Sequence, residues 1–129
     1  MLATSAGPVR RLVEQVVGQI GSLVAQCTKW QLGCLAVIAG LSEEVLFRGV
    51  IQVGLTRWLS TAGALVVASL VFGLVHAASR TYALFAGIMG LYLGTLFLLQ
   101  NSLVPPIIAH ALYDFVALDA VARRSRPQG

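Results

Sequence analysis

Long apolar runs constrain this chain more than any other feature. Four sparsely charged segments lie at about Trp30 to Leu59, Thr61 to Ala78, Tyr82 to Leu99 and Leu103 to Val121. Crossing ~30 Å of hydrocarbon takes about 20 helical residues, so each segment is read as a membrane span. The first is long enough to tilt or protrude. The third is the cleanest, with Tyr82 and Tyr92 as its only ionisable groups. The fourth opens with Pro105-Pro106, which suits a first helical turn. Only 11% of the residues are charged and 57% are hydrophobic, against about 25% charged in a soluble domain. At this length a soluble fold buries only about two-thirds of its surface, which would leave the apolar excess facing water.

Ahead of these segments, Val9, Leu12, Val13, Val16, Val17, Ile20, Leu23 and Val24 recur at helical spacing, with Arg10, Arg11, Glu14 and Gln15 on other faces. This pattern reads as an interfacial amphipathic helix, with an additional span as the alternative. The polar start before Arg10-Arg11 and the breaks at Glu14, Gln15 and Gln19 do not resemble a cleavable signal peptide. No internal repeat is visible. The expected fold is an all-α polytopic membrane helix bundle of about four transmembrane helices preceded by the amphipathic helix. Its expected parts are residues 1–29, a core of residues 30–122 and a basic tail of residues 123–129.

Net charge of +4 does not indicate nucleic acid, because the basic residues flank spans instead of forming a stripe. With four spans, Arg10, Arg11, Lys29, Arg80, Arg123, Arg124 and Arg126 share one side, and Arg57 alone lies on the other. The positive-inside rule then places both termini in the cytoplasm, in a bacterial or archaeal cytoplasmic membrane. Asp119 and the Arg123–Arg126 cluster read as a solvated helix end. Cys27 and Cys34 have no metal-ligand spacing and read as small apolar side chains.

Against this background the charges inside the spans stand out. Each costs about 2.5 kcal/mol or more on insertion scales, yet the first span holds Glu43, Glu44 and Arg48, the second His76, and the fourth His110 and Asp114. Such groups should face the bundle interior or a wet cavity. Glu44 and Arg48, four apart, can pair along one helix face, and His110 and Asp114 project together in the same way. Glu43 lies about 100° around the helix from Glu44, so the two carboxylates cannot do the same job. Gly40 and Gly49 would admit close helix neighbours.

Peptide hydrolysis without a Ser or Cys nucleophile needs an activated water. A buried carboxylate can serve as its general base. Two imidazoles and a carboxylate (Glu43, His76 and His110) are equally a zinc ligand set with an open position. The residues leave both mechanisms open, and the chain has no HExxH helix to decide between them.

Glu43-Glu44-x-x-x-Arg48, Phe72-x-x-x-His76 and His110-x-x-x-Asp114, in that order and each in a separate apolar segment, resemble the three motifs of the CPBP family of intramembrane proteases. That family includes the type II CAAX prenyl endopeptidases and the bacterial Abi, or bacteriocin-processing, proteins. The resemblance covers roughly Leu41 to Phe115. It implies a helical bundle with an active site within the bilayer. Glu43 would activate water with help from His76, and Glu44 would pair with Arg48 to support the first motif. His110 and Asp114 would hold the reacting carbonyl or its oxyanion, or ligate a metal. The last motif most often ends in Asn, so Asp114 is a departure. An ionised Asp114 fits better as a partner that orients His110, or as a ligand. The chain is shorter than most members and is expected to keep the four-helix core.

The expected activity is therefore endopeptidase cleavage of a membrane-associated substrate, either a prenylated CAAX protein or a peptide precursor, with or without one divalent metal such as zinc. The expected partners are membrane lipid and that peptide or protein substrate. Two other classes compete: a non-catalytic immunity or binding protein on the same scaffold, and a proton or ion translocator. The absence of duplicated half-segments argues against the translocator.

Overall fold

A computed structural model of the chain describes residues 7–127 and residue 129. The polar start at residues 1–6 lies outside the described residues. Every regular element among the described residues is helical: α1 Pro8–Val24, α2 Lys29–Glu44, a π-helical segment Val45–Gln52, α3 Val53–Leu55, α4 Thr61–Val75, α5 Arg80–Gln100 and α6 Val104–Ser125.

Local chemistry sets the boundaries. Pro8 opens α1 and the Pro105-Pro106 pair opens α6, where a missing N–H costs no hydrogen bond. Thr28 and Gln31 form a reciprocal capping box at α2, Gln31 N donating to Thr28 Oγ1 at 3.2 Å and Thr28 N to Gln31 Oε1 at 2.8 Å. Ser60 and Ser79 cap α4 and α5 by accepting from Gly63 N and Tyr82 N, each at 3.1 Å. Asn101 ends α5 in the left-handed region at φ 45°, a conformation in which Asn is enriched.

The helix lengths refine the expected spans. α5 and α6, with 21 and 22 residues, are long and apolar enough to cross a membrane. α4 is apolar but has 15 residues, because it ends at Val75 and leaves His76 as its C-cap, short of the expected Ala78. The first expected span, Trp30 to Leu59, is helical over Lys29–Leu55 but changes from α to π hydrogen bonding after Glu44. α6 runs on to Ser125, with Arg123 and Arg124 in its last turn. There they offset the partial negative charge of the helix C-terminus.

α2 and α6 run antiparallel in close contact. A Cβ on Gly40 would lie 3.1 Å from Ala111 N, so this glycine permits the approach, whereas Gly49 makes only ordinary contact with Leu103 at 3.6 Å. α4 and α5 form a second antiparallel pair packed through small residues, with Gly73 facing Ala83 and Gly87, and Gly90 facing Ser69. α1 lays Val16, Val17, Ile20 and Val24 against Leu32, Phe115, Leu118, Val121 and Ala122. Gln15 of α1 donates to Ala78 O, and Arg126 donates to Ala25 O and Cys27 O. The start of α2, the α4–α5 turn and the end of α6 therefore gather at one end of the bundle.

Asp119 departs from the solvated position expected of it. It is 8% exposed and pairs with Arg123.

The surface inverts the soluble pattern. Leu70, Leu74, Leu84, Leu99, Leu112 and Val116 are all exposed, whereas Glu44, Arg48, Gln52 and His110 are buried. A solvent that accepts this exterior is hydrocarbon. Trp30 and Trp58, 80% and 78% exposed, stand at the two ends of the helical run from Lys29, where amphipathic rings favour a membrane–water interface.

Candidate active site

The site forms where the α-to-π transition of the first run, the C-terminus of α4 and the second turn of α6 converge. Glu43 and Glu44 are the last residues of α2. Phe72 and His76 close α4. His110 and Asp114 lie one turn apart in α6. The structure brings all seven residues singled out from the sequence, these six and Arg48, to one place.

The two adjacent glutamates have opposite situations. Glu44 is fully buried, and its Oε1 accepts from Arg48 Nη1 at 2.9 Å and from His110 Nδ1 at 2.7 Å. Arg48 uses its other terminal nitrogen on the backbone, donating from Nη2 to Gly90 O at 2.7 Å. Its guanidinium also lies over the Phe72 ring, 4.9 Å from the centroid. Removing two charges from water is costly, and here hydrogen bonding on both partners and a ring face offset that cost. Glu44 is thus a structural hub that joins α2, the π-helical segment and α6.

Glu43 is partly accessible and lies beside both imidazoles. Its side chain is 30% exposed, and its Oε2 lies 3.4 Å from His76 Nε2 and 3.6 Å from His110 Nε2. That oxygen is covered but has no hydrogen-bond partner.

The orientation of both imidazoles follows from their other nitrogen. His76 Nδ1 is 2.8 Å from Phe72 O, which can only accept, so Nδ1 carries the proton. His110 Nδ1 donates to Glu44 in the same way. Each ring therefore presents Nε2 toward Glu43. Phe72 fixes the geometry further, stacking on His76 with centroids 4.4 Å apart and meeting His110 edge-on at 6.0 Å. Phe72 is buried and T-stacks on Phe47 at 4.9 Å, which makes both rings core residues.

Asp114 Oδ2 lies 3.5 Å from His110 Nε2, beyond a good hydrogen bond. The residue that orients His110 is therefore Glu44, where the sequence pointed to Asp114. Asp114 is 23% exposed on the same accessible side as Glu43 and His76. Among the described residues, no three His, Cys, Asp or Glu side chains are arranged to hold a metal ion.

One buried polar position carries little signal in the sequence. Gln52 is 2% exposed and donates from Nε2 to Gly94 O at 3.3 Å. With Glu44 and Arg48 it forms a buried polar row at four-residue spacing, in which Arg48 and Gln52 bond backbone carbonyls of α5. The only legible sign of it is an isolated amide four residues after Arg48 in an apolar run.

Neither a curated protein nor a solved structure matches the chain significantly. The model of the family described as type II CAAX prenyl endopeptidase Rce1-like matches residues 25–116, which span the α2-to-α6 assembly and every residue of the site. With most of its length matched by that model, the chain belongs to the Rce1-like type II CAAX prenyl endopeptidase family of membrane proteases.

Proposed function

We propose that this protein is an intramembrane endopeptidase that hydrolyses a peptide bond in a membrane-associated substrate, a prenylated CAAX protein or a peptide precursor, with Glu43 as general base. The observation that carries the reading is Glu43 Oε2, on a partly exposed side chain and 3.4 and 3.6 Å from two imidazole Nε2 atoms, beside a fully buried Glu44 whose Oε1 holds Arg48 and His110.

In this reading Glu43 takes a proton from a water held against His76, and the hydroxide attacks the scissile carbonyl. The proton then passes to the leaving amine, by way of Glu43 or His76, as the C–N bond breaks. General acid–base transfer of this kind contributes about 10² to 10⁴-fold. His110, fixed through Nδ1, and Asp114 line the carbonyl side. Glu44, Arg48 and Phe72 hold the reacting groups in position.

The reading also places the four runs across the bilayer, with residues 1–29 as an interfacial helix and residues 30–122 as the protease core. Residues 123–129 would form the basic end, with both termini cytoplasmic. Gathering of Arg10, Arg11, Lys29, Arg80 and Arg123 to Arg126 at one end supports that orientation.

A comparison of membrane proteomes with and without the Glu43→Gln variant tests the function. New peptide termini that appear only with the unaltered protein would support it and identify the substrate. Identical termini in both membranes would contradict it.

A further inference from the structure

We infer that Tyr82 is a further catalytic residue, its hydroxyl donating a hydrogen bond to the oxyanion formed at the scissile carbonyl. The inference rests on the hydrolytic reading above. Attack of hydroxide on a peptide carbonyl moves an electron pair onto the carbonyl oxygen, and such an oxyanion needs a fixed donor.

The residues already assigned supply that donor poorly. Glu43 and an ionised Asp114 can only accept. Both imidazoles have their Nδ1–H engaged, by Phe72 O and by Glu44, and their Nε2 atoms face Glu43. The Arg48 side chain is 2% exposed; its Nη1 and Nη2 hold Glu44 and Gly90 O, and its unpartnered Nε is buried. Backbone N–H groups near Glu43 are consumed by the helix.

Tyr82 meets the requirement. It stands in the first turn of α5, fixed by the Ser79 cap, with its N–H donating to Ser79 Oγ at 3.1 Å. Its ring meets His76 edge-on, with centroids 6.4 Å apart and planes at 72°. It is partly buried, and the imidazole its ring meets is the one whose Nε2 faces Glu43. Tyr113 is the contrasting case: its ring packs on Phe85 at 5.8 Å and is 40% exposed.

In the step itself the hydroxide oxygen bonds to the carbonyl carbon, and the C=O π pair becomes the oxyanion lone pair. The Tyr82 O–H donates to that lone pair and keeps its proton. When the intermediate collapses the pair returns, the C–N bond breaks, and the amine receives the proton first taken by Glu43.

The test uses the full chain reconstituted in liposomes with a cleavable peptide substrate, comparing Tyr82→Phe, Tyr113→Phe, Glu43→Gln and the double variant Tyr82→Phe/Asp114→Asn. Loss of one such donor lowers kcat on the order of 10²-fold. Tyr82→Phe should show that fall with KM nearly unchanged, and Tyr113→Phe should stay within about twofold of the unaltered protein. The double variant should regain part of the loss, because the amide introduced in place of the Asp114 carboxylate can donate. Unchanged kcat in Tyr82→Phe, with Glu43→Gln inactive, overturns the Tyr82 assignment alone. Undiminished turnover in Glu43→Gln overturns the hydrolytic reading and the Tyr82 role with it.

Discussion

His110 Nδ1 lies 2.7 Å from Glu44 Oε1, the same oxygen that holds Arg48 at 2.9 Å. One buried carboxylate oxygen thereby ties the imidazole of α6 to the guanidinium of the π-helical segment. In the proposed mechanism this separates the labour of neighbouring residues, Glu44 for architecture and Glu43 for chemistry.

Stability should separate the two glutamates. Glu44→Gln leaves the Arg48 charge buried without its counterion, a loss of about 3–5 kcal/mol when one partner of a buried pair is removed. Glu43→Gln, at a partly exposed side chain with no hydrogen bond on its Oε2, should cost under about 1 kcal/mol. Thermal unfolding in detergent measures both. Equal destabilisation would contradict the division.

Phe72 should matter to stability and activity together. Phe72→Ala removes the ring that touches Phe47, His76, His110 and Arg48. The expected loss is about 3–5 kcal/mol, with turnover falling because His76 loses its stacking surface. Phe72→Leu should retain most of the stability and still lose turnover. Unfolding and cleavage assays on both variants check this.

The α4–α5 pair supplies a steric test. A Cβ at Gly73 would sit 2.7 Å from Ala83 O, so Gly73→Ala must push α5 away three residues before His76. Overpacking of this kind costs about 1–3 kcal/mol and should lower activity through the displaced imidazole. A Cβ at Gly87 meets only Ser69 O at 3.8 Å, so Gly87→Ala should be close to neutral in both assays.

Much of this architecture is legible in the sequence, for identifiable reasons. Charge in an apolar run is costly enough that Glu43, Glu44, Arg48, His76, His110 and Asp114 had to converge, and they do. Glu44–Arg48 follows from spacing alone. The partner of His110 does not, because the contact with Glu44 joins residues 66 apart, and local spacing favours Asp114 instead. Gln52 and Tyr82 stay hidden because a lone amide or phenol in an apolar segment reads as packing. The π-helical segment leaves no signal in residue pattern, and His76 closes α4 early because its backbone turns out of the helix at φ −99°, ψ 14°.

Topology can be read chemically. With Cys27 and Cys34 replaced by alanine, single cysteines at Ala77 and Leu59 should label from opposite sides of the membrane, Ala77 from the cytoplasm. Labelling of both from one side would contradict the four-span arrangement.

A chelator tests the chemistry assigned to Glu43. The proposed base mechanism predicts unchanged cleavage in excess chelator. Loss of activity that zinc restores would instead assign Glu43, His76 and His110 to a metal.

The most direct test of the central claim is single-turnover cleavage of a membrane-associated peptide by the purified, reconstituted protein and its Glu43→Gln variant, which should fold equally well. The account predicts cleavage that falls by at least about 10²-fold in the variant, with substrate still bound. Equal cleavage by the two proteins would contradict it.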